Sequence, residues 1–145
     1  MPSSLRNALA FLAALVIGSG VNMAVIMLGP AVIAPPAGVD MGNAQSLSAS
    51  MHLFEPRHFA APFVAHALGT LAGALAAFLL AASHKSAFAY AVGVVFLCGG
   101  IAASFMIPAP AWFVALDLAA AYLPMAWAGL QLGRYINPAK AAASR

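Results

Sequence analysis

The sequence predicts an all-α integral membrane protein, an antiparallel bundle of four transmembrane helices with a long first outer connection. Three observations carry this reading. Of 145 residues, 64% are hydrophobic and only 6% are charged, against about 25% charged in soluble domains. The apolar residues fall into four runs close to the length of about 20 residues that crosses the roughly 30 Å hydrocarbon core of a bilayer. The six Lys and Arg residues are scattered, several of them flanking those runs. A chain this small has nowhere to hide so much apolar surface from water, so its solvent is lipid. The length suits one membrane domain over 1–136, followed by a short cytoplasmic tail over 137–145.

The first span is expected over 8–28, ending at Gly29-Pro30, because a proline disfavours helix at the residue before it. Arg6 and the apolar run after it also fit a signal peptide, but the run is long and no clear A-x-A cleavage site follows it. The second span is expected over 59–82. Pro56 should sit in its first turn with Glu55 near the cap. The third is expected over 88–107, stopping at Pro108-Ala109-Pro110, and the fourth over 111–133. Between spans one and two lie about thirty residues rich in Pro and Gly. They are too apolar for disorder and should lie over the bundle mouth, with a short interfacial helix over 46–54.

Positive charge sets orientation. Arg6, the His84-Lys85 pair, and Arg134, Lys140 and Arg145 share one side of a four-span chain, which should be the cytoplasm. Both termini are then cytoplasmic, in a bacterial-type inner membrane. Trp112 falls near the outer interface, and Tyr90 and Tyr135 near the inner one, where aromatic belts form. The net charge of +3 comes from cations that form no patch, which excludes nucleic acid as a partner. The bilayer is the partner implied.

Asp117 lies inside the fourth run. A carboxyl at membrane depth costs roughly 2.5–3.5 kcal/mol on insertion scales. It needs a partner, because unpaired polar groups in hydrocarbon are costly. Counting inward from the outer boundary at 1.5 Å per residue, Asp117 of span four, His66 of span two and Asn22 of span one all fall roughly 9–11 Å deep. Ser104 of span three is shallower. Thr70 follows His66 by one helical turn on the same face. These four residues, Asp117, His66, Asn22 and Thr70, are the expected ligand or proton site. Polar glue between helices is the competing account.

Other features are more ambiguous. His52, Glu55, Arg57 and His58 form an expected outer mouth. His52, Glu55 and His58 are conceivable metal ligands, but Pro56 disfavours the unbroken helix that would align them, so no metal is expected and an ion pair of Glu55 with Arg57 is preferred. Gly69 and Gly73 allow close helix approach, either within the chain or at a homo-oligomer face. Gly18, Ser19 and Gly20 thin span one beside Asn22. Pro124 should kink span four and free the carbonyl of Ala120. Cys98, the only cysteine, reads as a buried, inert packing residue with no intrachain partner.

No soluble catalytic signature is present, so an enzyme is the less favoured reading and no cofactor is indicated. The expected function is binding or movement of a small solute or proton through an outward-facing pocket, in a dimer or larger oligomer if transport occurs. Two alternatives stand beside it. One is an intramembrane enzyme or cofactor site for a lipid or quinone-like molecule. The other is an assembly subunit of a membrane complex.

Overall fold

The computed structural model describes residues 1–139. The outer part of the expected tail, with Lys140 and Arg145, lies outside the described residues. The chain is 81% helical, with no strand among the described residues. Six helices follow one another: α1 (Ser3–Val32), α2 (Ala44–Ala49), α3 (Ala60–Leu80), α4 (Lys85–Met106), α5 (Ala111–Ala120) and α6 (Leu123–Ile136). Counted with their adjoining turns, they give four helical stretches long and apolar enough to cross a membrane: Ser3–Val32, Pro56–Leu80, Lys85–Met106 and Ala111–Ile136.

The helix ends shift by up to five residues from expectation, α1 beginning at Ser3 and α6 ending at Ile136, and two prolines act differently from expectation. α1 does not stop at Gly29-Pro30 but runs two residues further, the Ile33 N–H closing its last turn on the Gly29 carbonyl at 2.9 Å. The missing Pro30 N–H falls in that final turn, where a lost hydrogen bond disturbs least. The fourth stretch is not one kinked helix but two. It breaks at Ala121–Tyr122, and Pro124 sits in the first turn of α6. The proline ring crowds the carbonyl four residues back, and that carbonyl belongs to Ala120, the last residue of α5. At the start of the second stretch, Pro56 opens a 3₁₀ turn over Pro56–Phe59 that feeds into α3, with Glu55 at the cap. The turn between α3 and α4 passes through His84 at φ +49°, the left-handed region that few non-glycine residues occupy.

α3 is the central helix, in contact with α1, α4 and α6. Its inward face is built of small residues: Ala65, Ala67, Gly69, Thr70, Gly73, Ala74 and Ala77 are all buried. Phe78 fills the space they leave, packed with Ala74, Ala89, Ala126 and Leu130. On the other side of α3, Ala14 of α1 meets Ala77 and Val92. The crossing of α1 and α3 is tight. A Cβ on Gly69 would lie 2.8 Å from the Gly18 carbonyl oxygen and 2.8 Å from Asn22 Cβ. A Cβ on Gly73 would lie 2.9 Å from Val92 and 3.1 Å from the Ala14 carbonyl oxygen. The Gly69/Gly73 stripe is therefore packed inside the chain, against α1 and α4.

The N-terminal end of α1 is tied to the end of α3. Asn7 Oδ1 accepts from the backbone N–H groups of Ala82 (2.8 Å) and Ser83 (3.2 Å), and its amide donates to Ser83 Oγ at 2.9 Å. Arg6 Nε donates to the Leu80 carbonyl. Lys85, buried beside this corner, donates to the Ala81 carbonyl. Beyond these contacts α1 turns Leu5, Leu9, Leu12 and Val16 outward. Cys98 is likewise exposed rather than buried, because α4 directs that face away from the core.

The connection between α1 and α3 carries α2, capped by the Asn43 side chain on the N–H groups of Gln45 and Ser46, and a 3₁₀ turn at Met51–Leu53. The interfacial helix expected over 46–54 is thus shorter and earlier, and Ser50 separates its two pieces.

Candidate functional site

Asp117 and His66 meet. Both Asp117 carboxylate oxygens lie 2.9 Å from His66 Nδ1. α5 brings Asp117 inward, and α3 brings His66 across from it. The Asp117 side chain is only 7% exposed and that of His66 26%. An ionised carboxylate only accepts hydrogen bonds, so opposite a charged Asp117 the His66 ring presents N–H at Nδ1.

The helix break supplies a third member. Tyr122 lies in the gap between α5 and α6, and its hydroxyl donates to Asp117 Oδ2 at 3.0 Å. Its ring stacks on the His66 ring, with centroids 5.7 Å apart and planes inclined by 27°. Asp117 therefore has two donors, and His66 is held at one edge by a carboxylate and on one face by an aromatic ring. Tyr122 was not among the residues singled out from sequence. The proline two residues after it was the only signal that the helix could turn it back.

The remaining expected residues are placed differently. Thr70 is buried, and its hydroxyl donates to the His66 carbonyl at 2.8 Å. It satisfies backbone rather than the imidazole. Asn22 packs on Gly69 and does not bond to His66 or Asp117. Its side-chain oxygen is buried without a hydrogen-bond partner. Ser104 donates to the Ile101 carbonyl in its own helix.

Two cavities flank His66. The smaller, about 250 Å³, is lined by Ser19 and Asn22 of α1, His66 and Thr70 of α3, Gly99 of α4, and Tyr122 among others. Ser19 and Gly99 on its rim are exposed, so it reaches the surface between α1 and α4. The larger, about 310 Å³, lies under the connection and has His66 and Asp117 among its walls. His66, Gly100 and Ala103 border both. The Nε2 edge of His66 makes no hydrogen bond to the described residues. The ring is thus fixed on one side and chemically open on the other, at the place where two voids adjoin. Such an imidazole can accept a proton or a hydrogen bond at Nε2 while Asp117 stabilises the cation.

The outer-mouth residues do not converge on a metal. Glu55 pairs with Arg57 at 3.0 Å on the surface. The Glu55 N–H donates to His58 Nδ1 at 2.9 Å, while His52 Nδ1 lies 3.1 Å from the Ala49 carbonyl. Among the described residues no three His, Cys, Asp or Glu side chains gather as a metal site. Pro56 and the 3₁₀ turn it begins separate the three candidates. Of this group only His58 reaches the larger cavity.

Comparison with protein-family models, with curated proteins and with solved structures gives no match.

Proposed function

We propose that this chain is an antiparallel four-span protein of a bacterial-type inner membrane, both termini cytoplasmic, whose outward-facing pocket binds a small solute and moves that solute or a proton. The observation that carries the reading is the His66–Asp117 pair, 2.9 Å apart, with Nε2 unengaged where two cavities adjoin. Polar glue would engage both ring nitrogens or seal the ring in packing; here half of its hydrogen-bonding capacity is left for something else. Asp117 and Tyr122 touch His66, and His58 lines the larger cavity with it. The connection forms the roof on the outer side.

The test is flux in proteoliposomes with a pH-sensitive dye inside. Wild type should dissipate an imposed pH gradient, and Asp117→Asn should abolish this while expressing and melting like wild type. Asn still accepts from Nδ1–H but cannot offset an imidazolium charge. Unchanged flux in the variant overturns the reading.

One observation favours a second reading. The larger cavity is mostly apolar, which suits an intramembrane site acting on a lipid or quinone-like molecule, with His66 as base and Asp117 as its orienting partner. An enzyme alters a purified lipid or quinone; a carrier leaves it unchanged.

A further inference from the structure

The larger cavity restricts the chemistry of what can fill it. Met41, Leu47, Met51 and Phe54 of the connection form its roof, and Ile26 and Phe113 are among its walls. Its volume of about 310 Å³ falls at the lower end of the roughly 300–1,000 Å³ typical of small-molecule sites. Among the described residues, only four with polar side chains line it, His58, His66, Ser104 and Asp117, and no lysine or arginine does.

Most of that polarity is already spent. Asp117 is held by His66 and Tyr122. The Ser104 hydroxyl proton goes to Ile101. His58 Nδ1 accepts from the Glu55 N–H, which leaves its Nε2–H as a donor. On the His66 ring, Nε2 remains. An anionic headgroup here would meet a carboxylate and no fixed cation, at high desolvation cost. An ammonium would have to draw Asp117 away from its two donors. A hydroxyl has neither problem. It donates to Nε2 of neutral His66 and accepts from Nε2 once the ring is protonated.

We infer that the larger cavity binds a neutral amphiphile, its hydrocarbon tail under the connection and its alcohol or phenol hydroxyl on His66 Nε2. The inference rests on the membrane placement and pocket proposed above, and is independent of whether anything is transported.

The test uses the full chain in micelles with ¹⁵N-labelled histidine and three probes: 4-heptylphenol, octanoate and octylamine. Heptylphenol should displace the His66 ring signals saturably and leave His52 and His84 unmoved, and the two charged probes should not. A heptylphenol analogue with a diazirine at the tail end should label residues 41–54 and spare the outward face of α1 at Leu9, Leu12 and Val16. Val114→Phe, which fills the cavity from α5, should weaken binding by about tenfold or more; Leu47→Ala gives a second, gentler change in the roof. Equal response to all three headgroups, labelling spread over α1, or unweakened binding in a folded Val114→Phe protein would each overturn the inference. Saturable heptylphenol binding without proton flux sinks the transport reading alone; flux without saturable binding sinks this one alone.

Discussion

Tyr122 tests how residue chemistry and backbone geometry combine. On a continuous helix a residue five positions after Asp117 would point about 140° away from it. The break at Ala121–Tyr122 cancels that rotation and lets the hydroxyl reach back to Oδ2. Tyr122→Phe keeps the ring that stacks on His66 and removes only the donor. It should lower stability by about 0.6–1.7 kcal/mol, the range for single polar contacts between membrane helices, read from unfolding in mixed micelles. It should also displace the His66 ring ¹⁵N signals in NMR and leave those of His52 and His84 in place. The pairing of Asp117 with His66 was legible in the sequence, because two costly groups at one depth must find each other. Tyr122 was not legible, because an aromatic residue in an apolar run ordinarily signals packing or an interface. Asn22 shares the depth and lines a cavity with His66 but bonds to neither partner: equal depth does not fix the angle around the helix axis.

At the scale of elements, the α1–α3 crossing is where small residues matter. Gly69→Ala would place a methyl 2.8 Å from the Gly18 carbonyl oxygen, a backbone atom that cannot move aside alone. The helices would have to separate, at a cost of about 1–3 kcal/mol. Gly20, on the same helix as Gly18, has open space around its Cβ position. Gly20→Ala should be neutral or stabilise by up to about 1 kcal/mol, since alanine favours helix. Thermal unfolding of the two variants side by side checks both signs, and equal effects would mean that the crossing is looser than described. The sequence showed that Gly69 and Gly73 form a contact face but not whose. In an alanine-rich chain almost every helix offers small residues, and the choice of partner depends on three-dimensional fit. Helix ends were legible to within a few residues. Pro56 opened its stretch as expected, Pro30 did not close one, and Pro124 divided one, because the cost of a proline depends on whether its missing N–H falls in a terminal turn or mid-helix.

For the whole molecule, the four long apolar runs were visible in composition alone, while the central position of α3 was not. The proposed topology makes a direct prediction. In a Cys98→Ser background, Gln45→Cys in α2 should react with a membrane-impermeant maleimide in intact cells, and Ala139→Cys only after the inner membrane is opened. Both positions are exposed, so burial cannot explain a failure to react, and the reversed pattern would invert the proposed orientation. The divided fourth stretch has a consequence at this scale. Two half-helices without a shared hydrogen-bond ladder form a joint, and the Tyr122 hydroxyl on Asp117 latches it. The two rods are thereby cross-braced by one side-chain hydrogen bond rather than by backbone alone.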